Sequence, residues 1–162
     1  MNCLREYLAY DAETGRFTWI RSPVNSVKVG SIAGRLDTFG HRLINLHKRQ
    51  FFAHRLAWYF VYGEWPPTDI DHKNRAPDDN RIDNLRLATQ QQNCANATLR
   101  TDNKCGYKGV SGVNGKWRAR ISVNKKALWL GYHDTPESAA LAYDNAAIKH
   151  FGEFAVLNCA QP

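Results

Sequence analysis

Hydrophobic positions along this chain change their spacing several times, and each change marks an element. Leu4 to Tyr10 reads as a short opening helix, and Phe17-Thr18-Trp19-Ile20 as a strand. Gly30 to Gly34 is a turn region. Arg42 to Leu46 and Gln50 to Ala53 flank His47-Lys48-Arg49 and predict a hairpin. His54 to Tyr62 is a very apolar helix, with Gly63 placed to stop it and Pro66-Pro67 confirming the break. Residues 68–83 are Asp- and Asn-rich, a loop composition flanked by short strands. Thr89 with Gln92 three residues on matches a capping box, predicting a helix that runs through Ala97. Residues 99–105 are polar and irregular and read as a linker.

The clearest pattern follows. From Lys116 to Val123 the chain alternates strictly: Trp117, Ala119, Ile121 and Val123 share one face, and Lys116, Arg118, Arg120 and Ser122 the other. Asn124-Lys125-Lys126 is a turn, and Leu128 to Tyr132 a second strand. In it Leu128 and Leu130 are expected to face the core and Trp129 the basic side. Thr135 as N-cap, Pro136 at the first helical position and Glu137 in the first turn start a helix. Ala139, Ala142, Tyr143, Ala146 and Ala147 make its packing stripe, and Gly152 ends it. A sheet this small packs one face on the helix, so its basic face must meet solvent or a ligand.

Composition narrows the class. The 162 residues are 43% hydrophobic and 23% charged, which is globular composition, and five Trp let a small core bury substantial area. No apolar stretch approaches the ~18 residues of a membrane span. MNCLREYLAYDAETG has no basic flank and apolar core of a signal peptide, so a cytoplasmic location is expected. Cys3, Cys94, Cys105 and Cys159 are scattered and form no CxxC pair, so neither a zinc site nor a disulfide framework is expected. The 22 Lys and Arg against 15 Asp and Glu give +7. The distribution is more informative than the total. Residues 107–126 carry six basic side chains and no acid, while residues 64–83 carry six acids against three basic residues. Polyanion binding in one place and metal chemistry in another is the reading.

Several segments together carry a resemblance. They are Gly106-Tyr107-Lys108-Gly109-Val110, Gly115-Lys116-Trp117-Arg118-Ala119-Arg120-Ile121, Trp129-Leu130-Gly131-Tyr132, Thr135 to Ala147 and Leu157-Asn158. In length and order they resemble the Apetala/ethylene-response-factor DNA-binding domain over residues 105–158. That resemblance implies a three-stranded sheet entering the major groove of double-stranded DNA, with contacts at Lys108, Ser111, Asn114, Arg120, Ser122 and Trp129. Face and charge add Lys116, Arg118, Lys125 and Lys126. Ser122 and Ala127 stand where the plant form has Arg, and Arg120 where it has Glu. Groove binding therefore carries over and the family's target sequence does not. Largely phosphate-driven binding is expected.

The acid-rich middle offers oxygen ligands and a base. Asp71 supplies a carboxylate and Asn93 an amide oxygen, a weak, open set that suits Mg²⁺ or Mn²⁺. A neutral His72 can take a proton from water, and the Asn84 side chain can hold the ring by accepting from its other N–H. Taken singly, Asp-His is a surface-turn dipeptide and Asn84 a loop brace. In order, Ala53-His54-Arg55-Leu56-Ala57-Trp58, Asp71-His72, Asp79 to Arg86 and Gln92-Asn93 resemble the HNH endonucleases of the homing type, in which Asn replaces the last His. The resemblance covers residues 50–97, with a looser similarity over 4–50. It implies a ββα-metal fold with His72 as general base, Asn84 orienting it, and Asp71 and Asn93 as metal ligands. Lys73-Asn74-Arg75-Ala76-Pro77 departs from the usual loop after the His. His54 reads as structural or DNA-facing, and His41, His47, His133 and His150 as surface residues.

The expectation is an α+β protein: a supporting segment at 1–49, an HNH nuclease domain at 50–98, a linker at 99–105, and a three-stranded antiparallel sheet packed on one helix at 106–158. Its expected activity is metal-dependent cleavage of duplex DNA, with no membrane partner. No dimer seam is readable, and the sequence leaves the oligomeric state open with a monomer favoured. The alternative is a non-catalytic DNA-binding or regulatory protein with a degenerate nuclease domain. All four of Asp71, His72, Asn84 and Asn93 are present in order, which disfavours that alternative. An RNA-binding module is weaker still, because RNA-stacking motifs are absent.

Overall fold

The computed structural model describes residues 3–99 and 102–159. These residues form an α+β chain of small antiparallel sheets and four helices, divided into two compact units at Ala88/Thr89.

The first unit opens with α1 (Cys3–Tyr7), which stops short of the expected Tyr10. Leu8 to Asp11 is instead strand β1 (Leu8–Asp11), paired antiparallel with β2 (Arg16–Trp19) in the register Leu8↔Trp19 and Tyr10↔Phe17. A helix of so few residues gains little by itself, whereas cross-strand aromatic pairs bury Leu8 and Phe17 almost completely. Next come β3 (Arg35–Leu36), β4 (Arg42–Leu46) and β5 (Arg49–Phe52), a sheet in that order. His47 and Lys48 both take positive φ, 50° and 61°, the geometry of a tight two-residue hairpin turn. Helix α2 (Ala53–Tyr62) ends at Gly63, whose φ of 79° lets its N–H reach the carbonyl of Tyr59. Strands β6 (Asp69–His72) and β7 (Leu85–Ala88) pair antiparallel. One core gathers Leu8, Phe17, Trp19, Ile44, Leu56, Tyr59, Ile70 and Leu85.

In the second unit, α3 (Gln90–Asn96) carries the predicted capping box: Thr89 accepts from the Gln92 N–H, and Gln92 Oε1 accepts from the Thr89 N–H at 2.7 Å. Strands β8 (Val110–Val113), β9 (Lys116–Val123) and β10 (Lys126–His133) form a sheet in the order β10-β9-β8. Helix α4 (Pro136–Phe151) covers one face with Ala139, Ala140, Tyr143, Ala147 and Phe151. Its buried Asp144 accepts hydrogen bonds from the backbone N–H groups of Asn158 and Cys159, both at 2.9 Å, which ties the C-terminal strap to the helix. Leu128, expected in the core, is exposed beyond the cover that α4 gives.

The expected domain boundary lay at residues 98 and 99, but α3 groups with the C-terminal unit. The hydrogen bonds explain the difference. Lys108 Nζ donates to the carbonyls of Ala95 (2.6 Å) and Ala97 (2.8 Å), and Gln91 Oε1 accepts from the Asn124 N–H at 2.8 Å. Of the expected linker, Arg100 and Thr101 lie outside the described residues. Asn103 Oδ1 accepts from the N–H groups of Cys105 and Gly106, so this part is an ordered turn.

Candidate active site and nucleic-acid interface

His72 ends β6, buried, with Asp71 beside it. The register sets Asp71 opposite Arg86, whose Nε donates to Asp71 Oδ2 at 2.8 Å. Strand pairing thus fixes a buried carboxylate and an imidazole at adjacent positions.

The loop from Lys73 to Asn84 is stapled from within. The Lys73 N–H donates to the Asn84 carbonyl at 2.9 Å, and Lys73 Nζ to that of Asp83 at 2.7 Å. Asp79 takes Nε and Nη2 of Arg81 on its two carboxylate oxygens, and the Asn74 amide as well. The Arg81 hydrogen bonds hold the Asp79 carboxyl down to about 2.

Within this loop Asn84 does not hold the His72 ring. Its Oδ1 accepts from the Asn74 N–H at 3.0 Å and its Nδ2 donates to the Asp79 carbonyl at 2.7 Å, so the amide braces the loop. The side chain that meets His72 is Asn80, with 3.4 Å between Oδ1 and Nε2. Sequence reading missed Asn80. Its signal was an amide inside the Asp79-to-Arg86 motif that solvation alone does not require.

Three histidines meet here. The rings of His54 and His72 are 5.2 Å apart edge to face, His41 and His54 are 5.6 Å apart, and His41 and His72 are 6.0 Å apart. His41, expected on the surface, is therefore half-buried against His72, with Asp37 Oδ2 3.7 Å from its Nδ1. Burial, with His72 and His41 adding to it, drives the His54 pKa down to about 3, and its Nδ1 is buried without a hydrogen-bond partner. His54 is accordingly neutral. Burial also holds His72 below the ordinary histidine value, against the opposing pull of Asn80 and Asp71. A neutral imidazole near pH 7 is what proton abstraction requires.

Asn93 sits in α3, and its Oδ1 is buried without a hydrogen-bond partner. An orphaned amide oxygen is the acceptor a hard cation would satisfy. Among the described residues no three His, Cys, Asp or Glu side chains gather as a metal cluster, and the four cysteines are free thiols.

On the outer face of the β8–β10 sheet, the register lines up Ser111, Arg118 and Tyr132 across the strands, then Arg120 with Trp129, then Ser122 with Ala127. Ser111 Oγ accepts from Arg118 Nε at 3.2 Å. Lys116 Nζ lies 3.4 Å from Asp134, both exposed. Asn114 (φ 50°) and Lys125 (φ 63°) occupy the tight turns on either side of β9, and Lys126 opens β10. Lys108 differs from expectation, because its ammonium is hydrogen-bonded to the end of α3.

A bulge between Trp129 and Gly131, where Gly131 has φ 107°, breaks the alternation. It brings Tyr132 to the same face as Trp129, with ring centroids 4.7 Å apart, and both rings are more than half exposed. Strict alternation hid Tyr132. The glycine in Trp-Leu-Gly-Tyr was the available sign.

Comparison with known proteins agrees with this geometry in two places. The HNH endonuclease family matches residues 51–95, which run from β5 through both strands of the β6–β7 pair to α3. The chain is also similar to plant DNA-binding regulators. It is 47% identical over 75 residues to Dehydration-responsive element-binding protein 2D of Arabidopsis thaliana, covering 44% of this chain and 36% of that protein. It is 43% identical over 68 residues to Ethylene-responsive transcription factor ERF069 of the same plant, covering 38% and 43%. With Dehydration-responsive element-binding protein 2E of Oryza sativa subsp. japonica the figures are 51% over 57 residues, 33% and 18%. The matches span less than half the length of each of these relatives.

No helix among the described residues is long and apolar enough to cross a membrane.

Proposed function

We propose that this protein is a metal-dependent endonuclease of double-stranded DNA, directed to its substrate by the C-terminal sheet. The observation that carries the reading is His72: a buried imidazole held below its ordinary pKa, next to Asp71, inside the stretch that matches the HNH endonucleases. In this reading the ββα-metal fold is the one implied by the HNH match over residues 51–95. Asp71 and Asn93 are the oxygen donors for Mg²⁺ or Mn²⁺, and the orphaned Oδ1 of Asn93 fits that role. When bound, the metal supplies positive charge to the scissile phosphate and the leaving 3′ oxygen. His72 takes the proton from the attacking water as the new bond to phosphorus forms and the P–O3′ bond breaks, the leaving 3′ oxygen taking a proton from solvent. Arg118, Arg120, Lys116, Lys125 and Lys126 meet phosphates, while Trp129, Ser111, Asn114 and Ser122 lie on the groove face.

The similarity to transcription factors favours a second reading, a DNA-binding regulator without catalysis. One experiment separates the two. Full-length protein with Mg²⁺ or Mn²⁺ is incubated with supercoiled plasmid, beside His72→Ala. Nicking or linearisation by the native chain alone supports the endonuclease. DNA retention with equal, background cleavage by both proteins supports the regulator.

A further inference from the structure

Asn80 is an uncommon residue to find where it is. It is 1% exposed and among the largest fully buried side chains, although an amide in a polar loop would ordinarily be solvated. Each of its groups has a partner. Nδ2 donates to the carbonyl of Asp78 at 3.0 Å, which decides the orientation of the amide and turns Oδ1 toward His72 Nε2. Its backbone carbonyl accepts from the Tyr10 hydroxyl at 2.7 Å. Burial and the neighbouring Asp11 push that hydroxyl up to about 12, so it stays protonated and donating.

The turn between β1 and β2 presses on the same spot. Gly15 has φ 70°, and a Cβ there would stand 2.4 Å from the Arg81 nitrogen and 2.5 Å from the Asn80 carbonyl carbon. The N-terminal hairpin thus seats the Asn80 backbone from two sides, and no side chain larger than hydrogen fits between them.

We infer that Asn80 is the positioning residue for His72: its Oδ1 accepts the Nε2–H, which fixes that tautomer and makes Nδ1 the basic nitrogen of the ring. Asn84 is committed to the backbone of Asn74 and Asp79, so it does not supply this bond. An acceptor on one ring nitrogen sets which nitrogen is basic, and at metal-ligating histidines loss of such a partner lowers metal affinity or activity by about 10–100-fold. The inference rests on the reading of His72 as the base.

The test is the tautomer of His72, read by long-range ¹H–¹⁵N correlation on the full chain labelled with ¹⁵N-histidine. Spectra are recorded at pH 8 and the signal is assigned from its disappearance in His72→Gln. The native protein is expected to show a protonated Nε2 and an unprotonated Nδ1. Asn80→Ala is expected to give mixed tautomers with cleavage at least tenfold lower and duplex affinity unchanged, and Asn80→Asp, which restores an acceptor, to recover the Nε2–H form. A native His72 protonated at Nδ1 overturns the inference, and so does an Asn80→Ala spectrum identical to the native one. The native spectrum decides even where Asn80→Ala does not fold. Tyr10→Phe, which leaves the side chain of Asn80 intact, is a gentler probe: it is expected to shift the His72 Nε2 resonance, and an unmoved resonance overturns the role of the hairpin. If the native tautomer is as stated but the protein cuts no DNA, the endonuclease reading fails while the positioning of His72 by Asn80 stands.

Discussion

Arg86 and Asp71 face each other across the β6–β7 ladder, and the guanidinium Nε lies 2.8 Å from the carboxylate. Both side chains are largely buried, so this pair behaves unlike a surface ion pair. Removing one partner leaves a desolvated charge behind, at a cost of about 3 kcal/mol or more. Arg86→Met is therefore expected to lower the urea midpoint of the metal-free protein substantially. Because the site then carries more negative charge, added Mn²⁺ should raise the melting temperature of this variant more than that of the native chain. Thermal unfolding with and without Mn²⁺ checks both parts, and an equal Mn²⁺ response would remove Asp71 from the proposed ligand set.

His54 makes stability depend on pH. Its folded pKa, about 3, lies below the ordinary value of 6.5, so the unfolded chain binds the extra proton more readily. The stabilisation from keeping it neutral is complete above pH 6.5 and is lost as pH falls toward 3. The loss from this residue is on the order of 4 kcal/mol at the acid end. His54→Phe keeps a ring against Phe52 and removes the titrating group. Urea midpoints of that variant at pH 7 and pH 4.5 are expected to lie closer together than those of the native protein.

Gly15→Ala should destabilise the first unit by well over 1 kcal/mol, because it combines a left-handed backbone with contacts near 2.5 Å to Asn80 and Arg81. Hydrogen exchange should show the loosening first at residues 79–84. An unfolding curve within experimental error of the native one would mean that the approach of this turn to the loop is not constraining.

The groove face offers a contrast between charge and aromatic surface. Arg118→Ala with Arg120→Ala is expected to weaken duplex binding and to flatten its salt dependence, by close to two in the slope of log K against log salt if both side chains meet phosphate. Tyr132→Ala should weaken binding by about 1 kcal/mol and leave that slope unchanged, since tyrosine neutralises no phosphate. Fluorescence anisotropy across a salt series separates the two. A Tyr132→Ala slope equal to that of the double arginine variant would contradict the assignment.

Much of the architecture was legible in the sequence because single residues announced it. Thr89 with Gln92, Gly63 after an apolar helix, and the alternation from Lys116 to Val123 each have one structural solution, and each is found. The failures share a cause. Leu8 to Asp11 became a strand because of Phe17 and Trp19, partners that no local window contains. Tyr132 reached the outer face of the sheet through one bulge at Gly131, which shifts the parity of everything after it. In the candidate site, Asp71 and His72 stood out as a dipeptide, but the side chain that meets His72 is that of Asn80 and not Asn84. Both asparagines lie in one short loop, and hydrogen-bond partners decide between them where residue type cannot. His41 was hidden similarly: it is distant in sequence from His54 and His72 and meets them only when β4 and β5 are folded beneath α2.

The helix that carries Asn93 has a double allegiance. The stretch shared with HNH endonucleases ends inside α3, while Lys108 and Asn124 fasten that helix to the neighbouring module. A chimera that joins residues 1–98 to a different C-terminal module would inherit the helix without its anchors. One joined at residue 88 would forfeit the final seven residues of the nuclease match. The two stretches therefore do not trade as interchangeable cassettes, and a transplantable version of the HNH-like stretch must carry Lys108 and the Asn124 turn along with it.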